Sequence, residues 1–289
     1  MGPDLASASD AYLARLGLEA EPPSAEALFR LHRAHVERVP YETLWIHLGE
    51  SWGVDVAGSF DRIANRQRGG YCFHLNGAFS ALLSSLGYHV QRHVGGVHGA
   101  DGPTGDEMTN HLVLTVHDLS DETNPDGAWY VDAGLGDALH EPLPLRAGPY
   151  EQPPFHLSLE ETPGGVGDWH LTHDPRGGFT GMSWRSAQTD LDAFADRHQW
   201  LSTSPDSGFV QVVTVQRRDA TGIDVLRGLS LLRIGSDASR TTLADKGELI
   251  AVIHDLFDLR LDEHRLQALD EVWPRLLEAH RAWEATHPE

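Results

Sequence analysis

The chain has 289 residues, 40% of them hydrophobic, which is enough for a sizeable core in one large domain or two to three small ones. It carries 22 lysines and arginines against 43 acidic residues; the formal charge of −21 repels polyanions and argues against nucleic acid as a partner, while a small anion can still meet a local positive site. No apolar run approaches the roughly 20 residues of a membrane span, "MGPDLASASD" lacks the regions of a signal peptide, and the single cysteine excludes an internal disulfide, so a cytoplasmic location is the expectation.

The first third reads as helices. Ser24 is the candidate N-cap of a helix whose Leu28, Leu31 and Val39 share a face with His35, and Pro40 stops it. "SFDRIANRQ", residues 59–67, is a second, shorter helix. Cys72 opens a third, "CFHLNGAFSALLSSLG", in which Leu75, Phe79, Leu82 and Leu86 recur at helical spacing and Gly87 is a C-terminal stop. From about His93 to Ser186 the texture changes to short alternating runs such as "HLVLTVHD" and "AWYVDAGLG", separated by Gly, Pro, Asp and Asn clusters. That predicts a β-rich region of small-barrel type. A linking helix is expected near Leu191 to Trp200. Two strands follow, "FVQVVTVQRR" and "DVLRGLSLLRI", joined by an Asp219-Ala220-Thr221-Gly222 turn, then a helix carrying Leu249, Ile253 and Leu256. From Asp262 the chain ends in an amphipathic helix, kinked or broken at Pro274. The order is helical, then β, then α/β, with no solenoid repeat or low-complexity tract.

Cys72 falls on the inward face of its helix's first turn, where unpaired N–H groups favour a negative charge. Arg68-Gly69-Gly70 before it supplies a cation and lets the backbone approach closely. A lone cysteine is also an ordinary small core hydrophobe, so position alone leaves both readings open. A nucleophilic thiol needs a base, and the base an orienting group. The chain has 18 histidines, so one nearby proves little. His74 is rotated about 200° from Cys72 around the helix. His93, His98 and His117 lie near loops or strand ends, and His170 and His173 would point to opposite faces of a strand; each is simplest as a solvated or locally bonded ring. His111 begins the strand "HLVLTV" and Asp132 ends "WYVD", so adjacent strands would bring them together with Cys72, one choice among many on these grounds. No metal is expected, because neither HExxH nor CxxC spacing occurs.

"RGGYC" with Asn76 four residues after the cysteine, "MTNHLVLTV" and "YVDAGLG" resemble the three catalytic segments of the arylamine N-acetyltransferases. The resemblance runs in order through "DAYLARLGL", "LHRAHVERVPYETL", "LSTSPDSGFV" and "ELIAVIHDLFDLRL", over roughly residues 8–262. It implies an α+β fold in three parts: a helical domain (1–92), a central β-barrel with linking helix (93–200) and an α/β lid with a C-terminal helical extension (201–289), built around a Cys-His-Asp core of transglutaminase and papain type. Cys72 would be the acyl-accepting nucleophile, His111 its base and Asp132 the group orienting His111. Tyr71, Thr109, Gly134, Leu135 and Gly136 would line the substrate and CoA site, and Arg68, Glu42 and Asn76 would support it, the Arg68–Glu42 pair being structural. The implied reaction is ping-pong: acetyl-CoA, or another acyl-CoA, acylates Cys72, CoA leaves, and an arylamine, hydrazine or similar amine takes the acyl group. Acyl-CoA is a substrate here, and no bound cofactor is implied.

Three features depart from that pattern. His74 stands where the family has an acidic or amide residue, either as a titratable ring that alters local bonding or as a neutral surface swap. Leu135 replaces an aromatic in the turn after Asp132. The loop "SDETNPDG" is long, and the segment after Asp262, with Trp273, Leu276, Leu277 and Trp283, extends past the common core as a docking surface, a dimer contact or packing. A second reading is therefore an amide synthase that condenses or cyclises a thioester-bound chain with an amine. The negative charge disfavours an acidic carrier protein as its partner. A cysteine hydrolase or a non-catalytic binding module on the same fold is the third reading.

Overall fold

The computed structural model describes residues 5–286, apart from the side chains of 5–7, 283, 284 and 286, so Trp283 lies outside the described side chains. The first region holds helices α1 (Leu5–Leu16) and α2 (Ala25–Arg38), the two-residue strand β1 (Tyr41–Glu42), and helices α3 (Leu44–His47), α4 (Val56–Arg66) and α5 (Cys72–Ser85). The Ser24 hydroxyl caps α2 by accepting from the Ala27 N–H at 3.1 Å. Val39 is extended (φ −115°, ψ 105°), as the ring of Pro40 requires. α4 starts three residues before the expected Ser59, because Asp55 caps it through the Gly58 N–H at 2.6 Å. α5 is buried on nearly every side, with Leu75, Phe79 and Leu82 all at the centre of the helical core.

Eight antiparallel strands follow: β2 (His89–His98), β3 (His111–His117), β4 (Trp129–Val131), β5 (Leu143–Pro144), β6 (Gly148–Gln152), β7 (Phe155–Glu161), β8 (Trp169–Thr172) and β9 (Gly181–Gln188). Their order is β5-β4-β3-β2-β9-β8-β7-β6, and Tyr150 of β6 donates its hydroxyl to the Pro144 carbonyl of β5 at 3.1 Å, so the sheet is nearly closed into a barrel. β3 is buried on both faces. Leu112, Leu114 and Val116 pack on the helical core, and Val113 enters the barrel interior with Tyr130, Met182 and Trp184. A strand walled in on both sides reads as an apolar run, as "HLVLTV" does.

A 3₁₀ turn (Leu191–Phe194) leads into α6 (Ala195–Thr203) and the single turn α7 (Gly208–Gln211). Strands β10 (Thr214–Asp219), β11 (Gly222–Arg227), β12 (Ser230–Gly235) and β13 (Ser239–Thr242) join β1 in a second sheet ordered β1-β10-β11-β12-β13. α8 (Lys246–Ala251), a π-helical turn (Val252–Leu256) and α9 (Glu263–Thr286) complete the chain, and Leu249, Ile253, Leu269 and Leu276 form a core with Val215 and Leu226 of this sheet. The fold is α+β, with β1 carrying the helical region into the last sheet.

Three expected elements differ from those observed. "FVQVVTVQRR" is not one strand: the Ser207 hydroxyl accepts from the Phe209 N–H at 3.2 Å and turns residues 208–211 into α7, so the strand begins at Thr214. "DVLRGLSLLRI" is a hairpin, because Gly228 at φ 60° reverses the chain between Arg227 and Ser230. α9 passes through Pro274 as one helix rather than breaking there.

Candidate active site

The cysteine is the first residue of α5, and the two glycines before it set its approach. A side chain on Gly69 would sit 1.8 Å from the Pro40 carbonyl oxygen, and one on Gly70, at φ 147°, would strike His74. The segment is held from below by Arg68, whose Nε and Nη2 donate to the two oxygens of Glu42 at 2.9 and 3.0 Å while Nη1 donates to Glu50 at 2.8 Å. Burial opposes the Arg68 charge, but Glu42 and Glu50 outweigh it and hold the guanidinium firmly protonated. Arg265 of α9 closes the cluster with two further bonds to Glu50, at 3.1 and 2.8 Å.

The Cys72 thiol lies 3.5 Å from the carbonyl oxygen of Asn110, immediately before β3. The Asn110 side chain fixes that carbonyl by bonding β2 as a strand residue would: its Oδ1 accepts from the Val97 N–H at 2.8 Å and its Nδ2 donates to the Val97 carbonyl at 2.9 Å. Thr109, at φ 82°, makes the turn into β3. His111 follows, buried, with Nε2 2.8 Å from Asp132 Oδ2. Burial alone would lower its pKa; Asp132 and the Cys72 thiol together overcome this and raise it to about 10.

Asp132 is buried and accepts three more hydrogen bonds, from the Tyr130 hydroxyl at 3.0 Å, Asn76 Nδ2 at 2.7 Å and the Gly134 N–H at 2.9 Å. Burial, followed by the Asp132 charge, raises the Tyr130 pKa well above 10, so the phenol stays a donor. Asn76 spends every polar group here, its second N–H on the Leu112 carbonyl at 2.6 Å and its oxygen on the Ala133 N–H at 2.9 Å. The helix, β3 and the turn after β4 are thus pinned to one another by a single amide. Gly134 lets that turn lie on α5: an added Cβ would sit 2.8 Å from the Cys72 Cα.

A cavity of about 320 Å³ opens at Cys72 and His111, walled by Gly134, Leu135, Phe179, Phe209 and Gln216 among others. Gly136 stands outside it, its Cα turned toward Gln216 and Tyr41. Tyr71 and Thr109 do not line it either. The Tyr71 ring is fully buried, its hydroxyl 2.5 Å from His198 Nδ1. Asp137 does line it, buried and raised in pKa by that burial, with Oδ2 accepting from the Gly178 N–H at 2.5 Å.

His74 is not a surface substitution. Its ring is fully buried, edge-on to Trp45 and Trp52 at 5.6 and 5.7 Å, and burial drives its pKa far below 6.5, so it is neutral. Its Nδ1 accepts from the Tyr71 N–H at 3.3 Å, one end of a capping box on α5. The solvated-or-local reading of the other rings holds unevenly: His93 is buried against Thr115 at 2.8 Å, and His173 is buried with Nε2 3.0 Å from the Asp137 carbonyl.

Sequence reasoning missed Tyr130, Asn110, Glu50 and Arg265. Tyr130 and Asn110 had local signals, being two residues from Asp132 along a strand and adjacent to His111. Phe179 belongs to "RGGF", which resembles the motif before Cys72 without a cysteine yet contributes Gly178 and Phe179 to the cavity. Glu50 and Arg265 are 215 positions apart, beyond any local pattern.

A sequence model of the N-acetyltransferase family matches residues 24–266. The chain is 31% identical to an arylamine N-acetyltransferase of Mycolicibacterium smegmatis, over 71% of this chain and 74% of that protein. It is 28% identical to the pineal gland isozyme of Gallus gallus, over 87% and 94%. The crystal structure of the Nocardia farcinica arylamine N-acetyltransferase superposes with a TM-score of 0.78 at 31% identity, covering 90% of this chain and 92% of that one. The chain is an acetyltransferase and belongs to the arylamine N-acetyltransferase family.

Proposed function

We propose that the protein moves an acetyl group from acetyl-CoA to an arylamine, hydrazine or similar amine through a thioester on Cys72. The observation that carries this is a thiol at a helix N-terminus and an imidazole that line one cavity, with a buried carboxylate bonded to the far nitrogen of that imidazole. Because Asp132 holds Nε2 of His111, Nδ1 is the nitrogen left for the thiol. His111 takes the Cys72 proton, and the thiolate attacks the thioester carbonyl. As the tetrahedral intermediate collapses, the C–S bond to CoA breaks and the departing sulfur receives the proton from His111. The amine then attacks the acyl-Cys72 carbonyl, yields its proton to His111, and the Cys72 sulfur leaves. Donor and intermediate are both thioesters, so the first half-reaction is nearly isoenergetic.

The cavity of about 320 Å³ lies at the small end of ligand pockets, which run roughly 300–1,000 Å³. That suits an acetyl group and a compact amine better than the longer chain of an amide synthase. Relatives named as arylamine N-acetyltransferases support the acceptor class. The test is intact mass spectrometry with acetyl-CoA: one adduct of about 42 Da, the mass of a single acetyl group on the nucleophile, absent in Cys72→Ala and discharged by an aromatic hydrazine. An adduct that survives in Cys72→Ala would overturn the mechanism.

A further inference from the structure

Of the described residues that wall the cavity at Cys72, Asp137 alone is a carboxylate; it stands in the segment between β4 and β5, just past Leu135 and Gly136. It is buried, and burial opposes its charge. The Gly178 N–H donates to its Oδ2, and no other residue among those described donates to the carboxylate. His173 Nε2 lies 3.8 Å from Oδ1, but its hydrogen bond, at 3.0 Å, goes to the Asp137 main-chain carbonyl. Arg218 attracts Asp137 without forming an ion pair, because its N–H groups are spent on the carbonyl oxygens of Ala138, Asp219, Gly222, Gln152 and Pro153.

Carboxylates taken out of water are ordinarily paired with a cation or held by several donors. Asp132, at the start of the same segment, has four donors, from His111, Tyr130, Asn76 and Gly134. Asp137 has the one from Gly178 and, among the described residues, no arginine or lysine partner. The Tyr41 phenol, in the same cavity wall, is raised well above its usual pKa by burial first and then by Cys72, Tyr71 and Asp137. One ring is thus within electrostatic reach of both the thiol and the carboxylate. Leu135, Phe179 and Phe209 supply apolar wall. Arg227, the other permanently charged residue of the lining, ends β11 and is exposed, so solvent screens it.

We propose that Asp137 is a specificity-determining residue of the acceptor site, selecting compact amines that carry a cation remote from the nucleophilic nitrogen. The inference rests on acetyl transfer through Cys72. The neutral nitrogen attacks the acetyl-Cys72 carbonyl, the N–C bond forms, the nitrogen's proton passes to His111 and the Cys72 sulfur leaves, while the cation stays on Asp137. An amidinium fits that role best, because its two N–H groups match the two oxygens of a carboxylate, and the water-excluded wall strengthens the contact. The cation supplies the partner that the buried carboxylate lacks within the chain.

The test compares cationic 4-aminobenzamidine with neutral 4-aminobenzamide and anionic 4-aminobenzoate, at high salt, which screens the overall charge of −21. Protein acetylated by acetyl-CoA is mixed with each compound, and discharge of the adduct is followed by intact mass. The amidinium draws electrons from the aniline nitrogen at least as strongly as the amide does, so intrinsic reactivity does not favour it. At limiting concentration the amidine discharges the adduct about tenfold or more faster than the amide, and the benzoate is slowest. Asp137→Asn brings the amidine-to-amide ratio to one or below. That ratio is taken within one protein, so a loss of active enzyme does not move it. Equal rates in the parent, a preference for the benzoate, or a ratio that Asp137→Asn keeps would overturn the proposal. Should Asp137→Asn fail to fold, the order of the three compounds in the parent decides. Should no acetyl adduct form, the transfer reading fails, and calorimetric titration of the same compounds into the full chain decides for Asp137: tighter binding of the amidine supports its role, and equal binding overturns it.

Discussion

Asp132 shares its charge among four donors, and each fixes a different part of the site: the His111 ring, the Tyr130 phenol, the Asn76 amide and the Gly134 backbone. Asp132→Asn keeps the shape but removes the charge that holds His111 protonated, so kcat/KM for acetyl transfer should fall about 10³–10⁴-fold in steady-state assays while the melting curve stays cooperative. Tyr130→Phe removes one bond to a charged acceptor and should cost about 1.5–3 kcal/mol, divided between stability and rate. The His111 pKa adds a pH signature. Its folded value is raised above the unfolded value of about 6.5, so the stability it contributes is complete below about pH 6.5 and disappears as pH rises through the folded value. In Cys72→Ala the melting temperature should drop above pH 6.5 more steeply than in Cys72→Ala/His111→Gln. The lost thiol contribution narrows that window to somewhat below pH 10. Parallel profiles for the two variants would show that Asp132 does not hold the proton.

At the scale of elements, the helix that Cys72 opens is the most legible part of the sequence. Leu75, Phe79 and Leu82 recur at helical spacing, and a buried helix obeys that period whatever surrounds it. β3 and β4 were legible for the complementary reason, as apolar runs bounded by turn residues. The last sheet is not: apolar residues recur from Val225 through Leu232 on both sides of a turn that a single glycine makes, so only Gly228 marks the reversal. α7 was hidden because a serine cap, not hydrophobic period, decides a helix of four residues. Adjacency of strands and family resemblance point to Cys72, His111 and Asp132 together, but the residues that hold them depend on long-range contacts that no spacing encodes. His74 is the instructive case, since its neighbours Trp45, Trp52 and His198 come from α3, the loop after it and α6. Its structural task is to accept the Tyr71 N–H, which an amide can also do. His74→Gln should therefore keep acylation within a few fold of the parent, and His74→Ala should lose about 1 kcal/mol for the cap, plus the cavity left beneath α5. Equal melting temperatures for the two variants would remove the capping role.

The whole molecule is tied together from its far end. Arg265 on α9 reaches Glu50, Glu50 reaches Arg68, and Arg68 reaches Glu42, so one chain of charges runs from the C-terminal helix to the loop before Cys72. Buried ion pairs of this kind add little net stability but are costly to break, because the surviving charge is left without a partner. The apolar side of α9 carries more weight. Leu269 is fully buried and Leu276 nearly so, in the same core as Val215 and Leu226, whose strands carry Gln216 and Arg227 to the Cys72 cavity. The family match ends at residue 266, and these leucines, past that point, pack against this chain's last sheet. Leu269→Ala should destabilise the protein by about 2–5 kcal/mol in urea titrations, the cost of a cavity at a fully buried leucine. The folded fraction should still form the Cys72 adduct, because Leu269 packs in the core of the last sheet and does not line the Cys72 cavity. A loss under about 1 kcal/mol, the level of an ordinary surface change, would make α9 an appendage; loss of the adduct in protein that remains folded would instead mean that α9 positions the catalytic wall.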